Sequence, residues 1–124
     1  MANTEKKGPL EGLKVLDLTR VLAGPFATMW LAAMGADVIK VENPNDGDVT
    51  RQYGPFINDR SSYFPTVNHN KKGITLNMKA EEGRELFRKL AADADVVVEN
   101  FQPGVMENLG LGYEDLRKIN PGSI

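Results

Sequence analysis

Short apolar runs alternate along this chain with longer stretches whose apolar residues recur at helical spacing, and that alternation predicts strands separated by helices. Lys14–Leu18 (KVLDL) reads as a first strand. Pro25 suits the first turn of a helix. Phe26–Met34 is apolar nearly all round, which predicts a largely buried helix. Gly35 is the expected stop, and Asp37–Glu42 (DVIKVE) follows as a second strand ending in charge. Asn43–Asn70 is rich in Gly, Pro, Asn and Asp, with a helical turn expected around Tyr63–Asn68; a loop of this length is usually functional or disordered. Gly73–Asn77 (GITLN) reads as a third strand.

Ala80–Ala92 gives the clearest helix, with Leu86, Phe87, Leu90 and Ala91 on one apolar face. Glu81 and Glu82 open it and Arg88 and Lys89 close it, as the helix dipole favours. The β-branched run in Asp95–Val98 predicts a buried strand. Short helical pieces are expected near Val105–Leu109 and Glu114–Ile119, with Pro121 as a breaker and Ser123–Ile124 opening another strand. This βαβ order predicts an α/β, Rossmann-like parallel sheet with right-handed crossovers. It also reads as the amino-terminal half of a larger domain, cut before its next strand. Residues 1–9 read as a disordered leader and 10–124 as the folded unit.

Composition narrows the chemistry. There are no cysteines and one histidine, so thiolate metal sites, thiol nucleophiles, disulfides and multi-histidine metal sites are excluded. The net charge of −2 argues against a nucleic-acid partner. No apolar run approaches the roughly 18 residues of a membrane span, and the opening MANTEKKGPLEG has no signal-peptide core. A cytoplasmic or organellar soluble protein is expected.

The loop after the first strand, TRVLAGPFA, is where a nucleotide fold holds its ligand, and it lacks both glycine-rich phosphate fingerprints. An anion facing the helix start and a plain connection packing Val21, Leu22 and Ala23 account for it equally well. Lys40 and Glu42 stand at the carboxyl end of the second strand, where a glutamate suits a ribose hydroxyl; a solvated strand end accounts for them as well. Lys71, Lys72 and Lys79 flank the third strand and suit phosphates, but such clusters are most often solvated faces. Asn100–Phe101 suits a flat base with polar edges, and Phe101 fits the core as readily. His69, alone in a polar loop, reads as a surface or packing residue, and Asp17 as a structural carboxylate partnered by Thr19 or Arg20. Nothing forms a catalytic constellation.

The segments PLEGLKVLDLTRVLAGPFATM, GADVIKVENP, GDVTRQYGPF, SSYFPTVNHNKKGITLNMK and ADVVVENFQPGVMENLGLGYEDLRKINP resemble the family III CoA-transferases, a group that includes formyl-CoA transferases, carnitine CoA-transferases and α-methylacyl-CoA racemases. The resemblance runs from Pro9 to Ile124. It implies interlocked homodimers of chains roughly three times this length, with coenzyme A bound mainly by the part present here. By motif, Val21 and Ala23 touch CoA, Asn43 lies near the adenosine, Leu76 and Lys79 flank the adenine or its phosphates, and Asn100, Phe101 and Val105 line the nucleotide and pantetheine path. The partners implied are an acyl-CoA and a carboxylic acid.

The implied chemistry is covalent: an aspartate attacks the donor thioester, and the acyl-aspartyl anhydride passes to an aspartyl-CoA thioester that the acceptor carboxylate resolves. That aspartate lies beyond Ile124, so no catalytic residue is assigned and this chain alone is expected to be inactive. Asn43 and Asn108 stand where members often carry arginine, His69 replaces a common arginine, and Ala33 a usual aspartate. GDVTRQYGPF and SSYF resemble dicarboxylate-using transferases more than racemases. The alternatives are a racemase fragment, whose aspartate works with a histidine, and a stand-alone CoA-binding module. A nicotinamide-dependent dehydrogenase comes last. Apolar faces left uncovered in such a part predict self-association or marginal stability.

Overall fold

A computed structural model describes residues 8–124; the leader expected over residues 1–9 lies, as far as residue 7, outside the described residues. Strands β1 (Lys14–Asp17), β2 (Asp37–Glu42), β5 (Lys72–Thr75) and β6 (Val96–Val98) form one parallel sheet in the order β5-β2-β1-β6. The intervening β3 (Phe56–Ile57) and β4 (Arg60–Ser61) pair as a small antiparallel hairpin. Helices are α1 (Ala23–Ala33), α2 (Tyr63–Thr66), α3 (Glu81–Ala91), α4 (Val105–Asn108) and α5 (Tyr113–Ile119), with a 3-10 turn at Val49–Gln52. The α/β, Rossmann-like expectation holds.

The core divides along the sheet because successive strand residues face opposite sides. Leu16, Leu18 and Val41 point to one face and join Phe87 and Ala91 of α3, Met106 of α4, and Leu111 and Leu116. Val15 and Val38 point to the other and meet Ala32 and Ala36 at the end of α1. The same alternation sends Asp17 and Lys40, which are register partners, beneath α1. On that face β1 and β2 are therefore apolar at their amino ends and charged at their carboxyl ends.

Several elements differ from expectation for identifiable reasons. The third strand begins one residue earlier and ends at Thr75; Leu76 still donates to Glu42 O at 3.0 Å, and Asn77 then turns the chain by accepting the Lys79 N–H at 3.1 Å. Helix α1 is not largely buried: it buries Pro25, Thr28 and Ala32, and leaves Phe26 and Trp30 about half exposed, stacked edge to face. On α3, Leu86 is 49% exposed while Gly83, Phe87 and Ala91 face the sheet, so the buried stripe lies one position away from where Leu86 placed it. Gly83 is required there, since a Cβ would lie 2.0 Å from the Asn77 carbonyl oxygen. The Asn43–Asn70 segment is ordered, folded into the 3-10 turn, the hairpin and α2. Beyond β6, Ile124 donates to Asp95 O at 3.0 Å and accepts from Val97 N at 2.9 Å, the pairing expected of a further parallel strand.

Candidate functional site

The carboxyl ends of all four parallel strands open into one cavity of about 340 Å3, within the roughly 300–1,000 Å3 range of small-molecule sites. Its walls come from four segments: Leu18–Arg20 after β1, Val41–Asn43 with Gly47 and Asp48 after β2, Leu76–Lys79 after β5, and Phe101, Val105, Asn108 and Leu109 after β6. Parallel strands place their following loops on one edge, which is why residues so distant in sequence converge. Leu18, Val41, Leu76, Met78, Phe101 and Leu109 give the walls a largely apolar surface.

Five expected site residues meet here: Asn43, Leu76, Lys79, Phe101 and Val105. Val21, Ala23 and Asn100 do not line the cavity. Val21 stands in the loop just outside it, in the left-handed backbone region at φ 72, and Ala23 opens α1. Asn100 spends its amide on the main chain of Arg20, accepting from the Arg20 N–H at 2.9 Å and donating to the Arg20 carbonyl at 2.8 Å. Arg20 was not singled out as a site residue, although its place directly after β1 was the available signal. Its guanidinium carbon lies 5.9 Å from the centre of the Phe101 ring.

Beside the cavity lies a buried charged cluster, where the solvated readings of Lys40 and Lys71 fail. The Lys71 ammonium pairs with Asp17 at 2.7 Å and donates to Asn68 Oδ1 at 2.8 Å and Pro25 O at 3.0 Å. Asp17 also accepts from the Thr19 N–H at 2.9 Å, the Thr28 hydroxyl at 2.6 Å and the Thr19 hydroxyl, so its partners are Lys71 and two threonines rather than Arg20. Lys40, 2% exposed, pairs with Asp48 at 2.9 Å and donates to Thr19 O at 2.7 Å. Burial lowers the Lys71 ammonium below its ordinary value, against the opposing pull of Asp17. Burial alone raises the Asp48 carboxyl, but the Thr50 N–H and the Lys40 ammonium outweigh it and hold the group below the usual range.

Glu42 faces the cavity but is already occupied. Arg51 grips it through Nε at 2.8 Å and a terminal nitrogen at 2.7 Å, and the Asp48 N–H donates to it at 2.7 Å. Burial pushes its carboxyl up, and these bonds more than reverse that, leaving it lowered. Arg51 also stacks on Phe64, 3.7 Å from the ring centre. Of the two readings of Glu42, a ribose ligand and a solvated strand end, neither anticipated that the chain's own arginine holds both its oxygens. By contrast, the Arg20 and Lys79 side chains make no ion pair among the described residues and stand at the cavity, Arg20 over the Phe101 ring. His69 is exposed, which favours the surface reading over the packing one. No group of three or more potential metal ligands occurs among the described residues.

Comparison with known proteins places this geometry in context. The family model for CoA-transferase family III matches residues 10–124. The chain is 58% identical over 114 residues to succinyl-CoA:glutarate CoA-transferase of Mus musculus, covering 91% of this chain and 26% of that protein. It is 54% identical to acetyl-CoA:oxalate CoA-transferase of Acetobacter aceti, covering 93% of this chain and 30% of that one. A crystal structure of a CAIB/BAIF family protein from Brucella suis superposes with a TM-score of 0.89 at 48% identity, over 96% of this chain and 32% of that chain. The chain therefore spans about a quarter to a third of the length of these relatives.

Proposed function

The chain belongs to CoA-transferase family III, and on that premise we propose that it forms the coenzyme A-binding part of an enzyme that moves CoA between carboxylic acids. The observation that carries this reading is the cavity at the sheet's carboxyl edge, apolar within and bordered by two cations, Arg20 and Lys79, that make no ion pair among the described residues. A CoA thioester needs that combination: apolar surface for adenine and pantetheine, and positive charge for its phosphates. Phe101 and Leu76 offer flat and branched apolar contact for the base, Val105 continues the wall, and Lys79 with Asn43 meets the phosphates and adenosine. Val21 and Ala23 shape the loop beside the ligand. The arginine clamp on Glu42 supports CoA over a nicotinamide dinucleotide, since both oxygens of the acidic side chain at this strand end already accept from Arg51.

The succinyl-CoA:glutarate and acetyl-CoA:oxalate transferases named above support dicarboxylic acids as donor and acceptor. In the reaction proposed, an aspartate beyond Ile124 attacks the acyl-CoA carbonyl and expels the CoA thiolate. The thiolate then attacks the aspartyl carbonyl of the resulting anhydride and releases the first acid. The acceptor carboxylate attacks the aspartyl thioester and releases CoA, which takes up the acceptor's acyl carbon and frees the aspartate. The residues described here bind and orient CoA through these steps; turnover belongs to the longer enzyme, working as a homodimer in the cytoplasm, and the 124-residue chain alone is inactive. No helix among the described residues is long and apolar enough to cross a membrane.

Isothermal titration with CoA, using NAD as the control ligand, tests this reading. Saturable CoA binding with no response to NAD is expected, weakened about tenfold or more by Lys79→Ala, the scale of one charged hydrogen bond. Equal binding of NAD and CoA would overturn it.

A further inference from the structure

The main chain around Arg20 is held almost entirely by side chains from other segments. The Thr19 N–H donates to Asp17 at 2.9 Å, and the Thr19 carbonyl accepts from the buried Lys40 ammonium at 2.7 Å. The Arg20 N–H and carbonyl are both taken by the Asn100 amide, at 2.9 and 2.8 Å. The Val21 N–H faces Asp48 Oδ1 at 3.4 Å, and Asp48 is itself paired with Lys40. In an ordinary loop such groups turn to water or to one another. Here three strand-end segments supply the partners, and at their centre sits a valine in the left-handed region. A β-branched residue persists there only where its surroundings over-determine the backbone.

We propose that Asn100, with the Lys40–Asp48 pair behind it, is a positioning residue that presets the Thr19–Val21 turn and so presents the Arg20 guanidinium to the cavity before any ligand arrives. Asn100 is itself exposed, so nothing about its burial calls for an amide. Its oxygen and nitrogen reproduce the pairing that a neighbouring strand would offer, in a loop where no strand runs. A turn fixed in advance leaves the ligand little ordering cost to meet, which favours tighter binding from the same contacts. The ligand arm of the test below rests on the CoA reading above; the exchange arm does not.

The test compares Asn100→Ala, Asn100→Asp and Arg20→Ala in the 124-residue chain by amide hydrogen exchange and by titration with CoA. Asn100→Ala should speed exchange at the Arg20 amide about tenfold, roughly the factor for one lost hydrogen bond, and weaken CoA binding. Asn100→Asp keeps the acceptor and loses the donor, so it should retain Arg20 amide protection and still weaken CoA binding. Arg20→Ala should leave Val21 protection unchanged while weakening CoA binding. Unchanged Arg20 protection in Asn100→Ala overturns the proposal. So does weakened CoA binding with intact Arg20 protection in Asn100→Ala, which would make Asn100 a direct ligand contact. Loss of protection with undiminished CoA affinity also overturns it. If the native chain binds no CoA, the CoA reading fails, and the exchange data alone decide whether Asn100 presets the turn.

Discussion

Both ends of the parallel sheet carry ion pairs, in opposite settings. At the amino end Lys14 meets Asp93 and Lys72 meets Asp37, with all four side chains 45% or more exposed. At the carboxyl end Lys71 meets Asp17 and Lys40 meets Asp48, with no side chain above 2% exposure. An exposed pair has water as an alternative partner for each charge, so it fixes little and adds little. A buried pair has no such alternative; its net worth is small, yet losing one partner strands the other. The sheet thus has a forgiving end and an exacting end, and the cavity opens at the exacting one.

The largest break in that contrast should come from Lys71→Met, which leaves Asp17 charged, buried and short of its strongest partner. We expect a loss of about 3–5 kcal/mol of stability, read from the urea midpoint. Asp17→Asn added to it should cost less than the sum of the two single changes, because the stranded charge is then gone.

Acid sharpens the contrast next. Glu42 and Asp48 are held below their ordinary values of 4.5 and 3.8. The folded chain therefore takes up these protons at lower pH than the unfolded chain. Their contribution is complete above about pH 4.5 and lost as pH falls through the lowered values. Urea midpoints that stay level from pH 7 to 5 and then decline are expected; a decline beginning above pH 5 would contradict this assignment. The smallest effect belongs to Lys72→Ala, less than about 1 kcal/mol and vanishing in high salt, whereas salt should leave the Lys71→Met penalty nearly unchanged.

The strands and α3 were legible because each depends on a local period: β-branched runs for strands, i/i+3/i+4 apolar spacing for helices. The cavity residues after β5 and β6 were legible through family resemblance and strand-end logic together. The charged cluster was not. Lys40 and Lys71 look solvated in any pattern that scores lysine as polar, and their burial follows from partners that only the folded sheet brings near. Asp17 and Lys40 become neighbours through register, and Asn100 meets Arg20 across eighty positions of chain. Helix α1 misled in the other direction. Its composition is apolar all round, yet only one side faces the sheet, and the polar Thr28 is buried because Asp17 waits beneath it.

Gly83 carries a consequence for how this chain tolerates substitution. The Asn77 carbonyl oxygen rests where a methyl group would have to go, and Arg84 on the same helix donates to the carbonyls of Met78 and Lys79. The helix and the cavity wall therefore behave like two parts machined to a single clearance. Alanine, normally the gentlest replacement in a helix, would here lever α3 outward and drag the Leu76–Lys79 wall with it. The outer face of the helix is free to drift; at this one position the smallest possible side chain already changes the shape of the cavity on the other side of the turn.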